Sequence, residues 1–542
     1  MRIILLFYST AVVTTLAFTP STKNTRLLTP CSISTASPSD VLHDTQTCSD
    51  DLQWIIQWRG EGTEGYSTTL RQWEFSCAFK AEVADYWNDS AIHGTYLESI
   101  QFEFRDALTY QGPVFHPDTI QNEEVGEPIP ESQVAAYESG MQYLSVRFPS
   151  SSSEYEYSTH AMTQLLQNTI RRCSLVRNGF VVVAKGNSYD ELANIAMDNG
   201  SFNDIIKGGS NEDDTWSIRL RRYGPDPDNN DGKKRTSRQA RYGKNVRSPL
   251  SEERKAIFEM KDLVELFHGK VNLSKPDCKI YLFDGLKNEM VSNSRNSSCE
   301  GTKCLARAIA KGPKTSIYAP KTRICVTTTP LCPIAAFTMC NVAQLRPHFT
   351  VLDPFAGSCA SLLAAAHIAT YSSRTTTKSQ GGTVSIEVAH NGLVNRDDIR
   401  KDFDTRSLRL PLEIIHGDSM KYEIRQQARR AIGGGAFDCI VTDPPYGIRE
   451  AFSGNSDGEE DDNSLPPLTQ FIYAMGRDDE PLLKVGGRLV AFIPVRKGET
   501  LEECLPESHA LEQAGLVMEC EGREQVLNDI LSRWLVSFVC IS

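Results

Sequence analysis

The second half of the chain predicts an α/β fold built on a doubly wound, mostly parallel sheet, and an α+β region precedes it. Three observations carry this reading. From about residue 317, apolar runs of strand length alternate with segments of helical period. Four acidic residues, Asp353, Glu387, Asp418 and Asp443, follow successive strand-like runs. One of those runs, "FDCIVTDPPY", ends in Asp443-Pro444-Pro445-Tyr446, and a central strand cannot continue through two prolines.

The elements follow in order. "FTVLDPFAGS" reads as a strand breaking into a turn and "SLLAAAHIATY" as a helix. "GTVSIEVA" is a strand, and "GLVNRDDIRKDF" is a helix. "LEIIHGDS" is a strand, "KYEIRQQARRAI" a helix, "FDCIVTDPPY" a strand, "TQFIYAMGRD" a helix and "GRLVAFIPV" a strand. "LEQAGLVMECEG" and "SRWLVSFVCI" predict a closing antiparallel hairpin. Strands alternating with helices imply parallel pairing. Ligands of such sheets sit at the carboxyl ends of the strands.

Upstream, residues 51–140 hold Trp54, Trp58, Trp73 and Trp87, and short alternating runs such as "LQWIIQW" and "SIQFEF" predict strands. Residues 141–284 predict strands at "QYLSVRFP", "GFVVVAKG" and "TWSIRLRRYG" and helices at "HAMTQLLQNTIRRC" and "SYDELANIAMDN". The second helix has Ser188 as N-cap and Glu191 at the capping-box position. Residues 285–316 are polar and rich in glycine and serine, and predict an inter-domain linker before the domain 317–542.

The 542 residues leave room for several domains, and 40% apolar with 23% charged residues fits a globular chain with a real core. A net charge of −12 argues against a protein that coats nucleic acid non-specifically. The charge is uneven, however. Residues 219–247 carry ten Lys/Arg against three Asp, with Tyr223 and Tyr242 interleaved. That run is either a solvated loop or a surface that neutralises phosphates. Its candidate contacts are Arg219, Arg221, Arg222, Lys233, Lys234, Arg235, Arg241, Lys244 and Arg247. The fifteen cysteines include no CxxC pair and no common zinc spacing, so they read as reduced thiols with no metal.

Residues 1–50 read as a targeting presequence. Arg2 precedes the apolar "IILLFYSTAVVTTLAF", which has signal-peptide length. The hydroxyl-rich "TPSTKNTRLLTPCSISTASPS" follows, and the first acidic residue is Asp40. The pairing, with Phe18 at the join, resembles the bipartite presequence of algae with complex plastids. It implies a plastid location, with the cytoplasm as the alternative. No later stretch of 18 apolar residues occurs, so no membrane association is expected of the mature form.

The strand ends suggest a chemistry. "DPFAGS" supplies one glycine, Gly357, where backbone can approach a ligand. A dinucleotide fingerprint needs three glycines, which argues against NAD and FAD. Glu387 is placed for the two hydroxyls of a ribose and Asp418 for an amino group such as adenine's; Phe355 and Ser419 belong to the same two turns. Together they suit an adenosyl ligand without pyrophosphate, S-adenosylmethionine. An exocyclic amine is a poor nucleophile because its lone pair is delocalised into the ring. Asp443 can accept one of its N–H bonds and the Pro444 carbonyl another, with no competing amide N–H at Pro444. Pro444 and Pro445 set this geometry before reaction. Tyr446 can stack on the base, once that base is unpaired.

"VLDPFAGS", "SIEVA", "IIHGDS" and "IVTDPPYGIRE" resemble the motifs of class I aminomethyltransferases. The ending "GIRE" narrows the resemblance to the eukaryotic tRNA (guanine-10-N2)-methyltransferase family. "TTTPLCPIAA" is similar to the segment before the first motif, which puts Thr329, Pro330 and Pro333 near the methionine end of the cofactor. "GNSYDEL", "IRLRRYGP", "YGKNVRSPL" and "FHGKVNLSKPDC" resemble the family's N-terminal half, which contains a THUMP RNA-binding domain. The resemblance covers residues 140–542. It implies a Rossmann-like methyltransferase domain, with Asp443, Pro444, Pro445 and Tyr446 catalytic. Asp353, Gly357, Glu387 and Asp418 would bind the cofactor. The implied substrate is guanosine 10 of tRNA, and the implied partner a small zinc-binding activator subunit. The alternatives are rRNA or DNA base amines as substrates, or a catalytically weakened RNA-binding homologue. This chain departs from the family at Cys359-Ala360, where more glycine is usual. It also departs at the acidic "SDGEEDD" of residues 456–462.

Overall fold

The computed structural model describes residues 53–541, apart from 61–62, 64, 88–94, 109–139, 150–158, 199–213, 223–245, 248–249, 266, 268, 287–301, 372–380, 389–393 and 447–464. The presequence, most of the basic run, "GIRE" and the acidic "SDGEEDD" therefore lie outside the described residues.

Nine strands form the first sheet. They are β1 (Trp54–Trp58), β2 (Gln101–Asp106), β3 (Met141–Arg147), β4 (Val176–Gly186), β5 (Thr215–Arg222), β6 (Val246–Arg247), β7 (Lys270–Val271), β8 (Cys278–Leu286) and β9 (Thr302–Lys311). Their order is β2-β3-β1-β4-β9-β8-β5-β6, with β7 beside β5. Among the described residues only β5 with β7 and β5 with β8 pair in parallel. Helices Thr68–Trp87, Thr159–Arg172 and Tyr189–Asp198 bring Phe75, Phe79, Leu165, Leu166 and Leu192 onto Ile56, Leu144, Val181 and Ile218. The expected cap of the third helix is present: the Ser188 hydroxyl accepts the Glu191 N–H at 3.1 Å, while the Glu191 carboxylate accepts the Asn187 N–H at 2.7 Å.

Two expectations need correction, and one element went unread. First, β1 and β2 belong to the same sheet as β3–β9, so residues 51–140 are not a region separate from 141–284. Second, the linker 285–316 contains β9, which lies between β4 and β8. Its Cys304, Leu305, Ala306 and Ile309 are buried, a signal that the polar residues just before it dilute. The strands expected at "LQWIIQW" and "SIQFEF" stand as β1 and β2, but between them lies a 20-residue helix, Thr68–Trp87, for which the sequence reading had no element. Buried Arg71, Glu74 and Glu82 break its apolar stripe and conceal the helical period.

The second sheet holds β10 (Thr350–Asp353), β11 (Gly382–Glu387), β12 (Glu413–His416), β13 (Phe437–Thr442), β14 (Leu483–Arg496), β15 (Leu516–Met518), β16 (Arg523–Asn528) and β17 (Leu531–Cys540). The order is β12-β11-β10-β13-β14-β17-β15, with β16 on β17. β10 to β14 pair in parallel, and β17 runs antiparallel between β14 and β15. The expected crossover helices are Ala360–Tyr371, Arg396–Asp404, Tyr422–Ala431 and Pro467–Gly476. Val351 and Val441 face one core with Leu362 and Phe403, whereas Leu352 and Ile440 face the other with Phe471 and Ile472. Both faces of the sheet are therefore covered, as parallel strands require. The hairpin differs from expectation. β16 and β17 form it, and "LEQAGLVMECEG" splits into the end of helix Ser508–Gln513 and strand β15. Gly515, at φ +65°, separates those two pieces.

Among the described residues no helix is long and apolar enough to cross a membrane, and no cluster of His, Cys, Asp and Glu could hold a metal. The described cysteines are free thiols.

Candidate active site

β12, β11, β10 and β13 are neighbours in that order and run in parallel. Their carboxyl ends therefore share one edge. Glu387 ends β11, Asp353 ends β10, Asp418 lies just past β12 and Asp443 just past β13. The four acidic residues picked from the sequence meet along this edge.

They are not equivalent. Asp353 is buried, and its carboxylate accepts the Phe355 N–H at 3.1 Å, the Thr442 hydroxyl at 2.8 Å and the Ser361 hydroxyl. Burial pushes its carboxyl up to about 7, against the hydrogen bonds that favour the charged form. Its bonds shape the turn between β10 and helix Ala360–Tyr371. Glu387 accepts the Gly357 N–H at 2.6 Å, which ties that turn to the next strand. Asp418 accepts the Met420 N–H at 2.9 Å and is half-buried, while Ser419 is buried and its carbonyl accepts from Arg425. Phe355 packs edge-on against Phe471, with ring centroids 5.8 Å apart.

Gly357 has φ +49°, a conformation that favours glycine, and a Cβ there would lie 3.6 Å from the Thr327 side chain. Cys359 follows at φ +63° but is buried among Leu362, Leu363 and Val351. Its side chain belongs to the core, so the departure from the family at this position is absorbed by packing. Pro333 is the first residue of helix Pro333–Val342, and Thr329 and Pro330 lie in the segment that leads from Thr327 to it. The site thus offers carboxylate acceptors, one tight glycine turn and no glycine-rich phosphate cradle. That donor set fits an adenosyl group better than a dinucleotide.

At the fourth strand end, the Tyr446 hydroxyl donates to Asp443 Oδ1 at 2.6 Å. Pro444 and Pro445 hold the two residues at this spacing. The hydroxyl lies in a desolvated place beside the Asp443 carboxylate, which pushes the phenol above its ordinary range. A carboxylate has about four lone-pair positions, so accepting from Tyr446 does not exhaust Asp443.

The structure adds a residue that the sequence reading missed. Arg533, on β17, stands 3.3 Å from both Asp443 Oδ2 and the Tyr446 hydroxyl. β17 is antiparallel to β14, so its beginning rather than its end lies at the carboxyl edge, with Arg533 opposite Pro494. A lone arginine in the apolar run "LSRWLVSFVC" was the available signal, because a buried cation needs a partner.

The basic candidates lie on the other sheet. Arg219 and Arg221 share one face of β5, and Arg221 pairs with Arg247 on β6. The Arg219 side chain donates to the Leu273 carbonyl at 2.9 Å, and the Arg221 guanidinium sits 5.6 Å from the Tyr281 ring centroid. Arg222 pairs with Val246 by its backbone. Lys233, Lys234, Arg235, Arg241 and Lys244 lie outside the described residues.

Residues 320–455 match the family model described as RMKL-like, methyltransferase domain. The segment that carries the four strand ends is thus a methyltransferase domain by its class. The chain is also similar to tRNA (guanine(10)-N(2))-methyltransferase TRMT11 of Gallus gallus, 26% identical over 299 residues, covering 50% of this chain and 59% of that protein. The corresponding human protein is 28% identical over 303 residues, covering 50% of this chain and 60% of its own. These matches bear out the resemblance read from the motifs. This chain spans less than two thirds of the length of those relatives. A solved structure titled "Crystal structure of TrmN from Thermus thermophilus" covers 81% of this chain at 16% identity, with a TM-score of 0.31. That score adds nothing to the topology read directly from the strands.

Proposed function

We propose that this protein methylates the exocyclic 2-amino group of a guanosine in tRNA, at position 10, using S-adenosylmethionine. The observation that carries the proposal is the Asp443-Pro444-Pro445-Tyr446 corner past β13, on the same strand edge as Glu387 and Asp418. Glu387 would take the ribose hydroxyls and Asp418 the adenine amine. Bound there, S-adenosylmethionine supplies an electrophilic methyl whose sulfur leaves as a neutral thioether. Asp443 and the Pro444 carbonyl would hold the amine in line with that methyl. The spare amine proton then leaves to water. Tyr446 covers the base once its ring is free to stack. Asp353 shapes the turn that the cofactor would occupy.

Arg219 and Arg221, with Lys279 5.4 Å from the Tyr281 ring centroid, provide a basic and aromatic surface for RNA. This supports the reading of the first sheet as the tRNA-gripping half. The presequence supports import into a plastid, and the family resemblance supports a small zinc-binding subunit as activating partner.

The test is nucleoside mass spectrometry of unmodified tRNA transcripts incubated with the protein and cofactor, with and without the candidate subunit. N2-methylguanosine at position 10 is expected, and Asp443→Ala should abolish it while cofactor affinity stays near wild type. Methylation confined to ribosomal RNA or DNA would overturn the substrate, and full turnover by Asp443→Ala would overturn the catalytic assignment.

A further inference from the structure

We propose that Arg533 is a positioning residue for methyl transfer, and that the N-terminal segment Thr63–Ser67 completes the catalytic corner by bracing it. The inference rests on the function proposed above. Four contacts fix the guanidinium. It reaches Asp443 Oδ2 and the Tyr446 hydroxyl, each at 3.3 Å. Its Nε donates to Gln525 Oε1 at 2.8 Å, and its Cζ lies 4.0 Å from the Phe492 ring centroid. The Arg533 side chain is 7% exposed and that of Asp443 is 22% exposed. The anchor is therefore inside and the acceptor faces outward, where an amine could reach it. A guanidinium is planar and rigid, so fixing one end fixes what the other end holds.

The brace comes from far away in sequence. Gln525 lies on β16, which receives the N-terminal segment as an extra edge. Tyr66 bridges to Gln525 in antiparallel register, and the Val526 N–H donates to the Gly65 carbonyl at 3.1 Å. The Tyr66 ring is buried, and its phenol lies within the field of Arg533. Arg71 ties the same segment down, donating to the Thr63 hydroxyl at 3.0 Å and to the Arg59 carbonyl at 3.1 Å. A continuous path runs from helix Thr68–Trp87 through Thr63–Ser67, Gln525 and Arg533 to Asp443. The half of the chain assigned to RNA thereby contributes to the geometry of the amine acceptor.

Steady-state kinetics of the full chain on its tRNA substrate test this. Arg533→Ala should lower kcat by roughly 100-fold, since misplacing a reacting group by about an ångström has that effect. The KM for S-adenosylmethionine should stay within about threefold, because Arg533 contacts Asp443 and not Glu387 or Asp418, the carboxylates assigned to the cofactor. Millimolar guanidinium should restore part of the loss. Arg533→Lys should recover only part, because one ammonium cannot hold Asp443, Tyr446 and Gln525 together. Gln525→Leu keeps the cation but releases its anchor, and should lower kcat by about tenfold even if Arg533→Ala does not fold. An unchanged kcat in Gln525→Leu and Arg533→Lys would overturn the inference. So would losses of kcat, cofactor affinity and thermal midpoint that move together without guanidinium rescue, since those mark a purely structural role. A wild-type protein that methylates no RNA would overturn the functional proposal and this inference with it. An active wild type indifferent to Arg533 overturns the inference alone.

Discussion

Asp353, Glu387, Asp418 and Asp443 look alike in the sequence, each an acidic residue after an apolar run. Burial separates them. The Asp353 carboxyl is enclosed and pushed up to about 7, so it is largely protonated where most carboxylates are ionised. A carboxyl raised in the folded state binds its proton more tightly there than in the unfolded chain. It therefore adds stability that is complete below about pH 4, falls as the pH rises and is gone above about pH 7. Asp353→Asn keeps the shape and the acceptor oxygen but cannot titrate. The stability difference, wild type minus variant, should fall by up to about 1.4 kcal/mol per pH unit between pH 5 and 7 and level off above. Urea unfolding of both proteins across that range checks this, and a difference independent of pH would refute it. The site was legible at this scale wherever one residue followed one strand. Arg533 was not, because its position depends on the antiparallel register of β17 against β14.

At the scale of elements, the sequence was most legible where hydrophobic period and function coincide. β10 to β14 and their crossover helices stand where the alternation predicts them. It failed at Thr68–Trp87, where buried charged residues interrupt the stripe, and at β9, which follows a polar run, and one feature is common to both. Both are enclosed by the rest of the chain, so burial does not follow a simple one-sided stripe. The docking of Thr63–Ser67 on β16 is equally invisible in sequence, yet one residue reports it. Gly65 has φ +81°, and a Cβ there would lie 2.2 Å from the Val526 carbonyl oxygen. Gly65→Ala must therefore shift the segment off β16 or strain it, at a cost of about 1–3 kcal/mol. Chemical unfolding measures the cost. If the segment braces Arg533, tRNA turnover should fall with it, whereas cofactor binding measured by calorimetry should hold. A variant with wild-type stability would show that this close approach is not maintained in solution.

Across the whole molecule, the two sheets are joined by buried polar groups as well as by apolar contact. Arg172, at the end of helix Thr159–Arg172, pairs with Glu82 at 2.9 Å, and both side chains are 3% exposed. It also donates to Asn341 Oδ1 at 2.8 Å and to the Leu345 carbonyl at 2.6 Å, both in the second half of the chain. Glu74 completes the junction, accepting from the backbone of Ser174 and Leu175 and from the Asn341 amide. Burial raises the Glu74 carboxyl, against the hydrogen bonds from Asn341, Leu175 and Ser174 that favour its charged form. Arg172→Leu leaves Glu82 buried without its cation and should cost about 3–5 kcal/mol. Adding Glu82→Leu removes the uncompensated charge and should recover much of that loss, because a buried pair replaced by apolar groups is often close to neutral. The deficit that remains in the double variant measures the bonds to Asn341 and Leu345, the part of the junction that spans the two halves. The basic face of β5 and the Asp443 corner belong to different sheets. Loosening this junction should therefore raise the KM for tRNA while leaving the KM for S-adenosylmethionine unchanged. Equal changes in both, or a single variant as stable as wild type, would show that the junction does not set the span between the two surfaces.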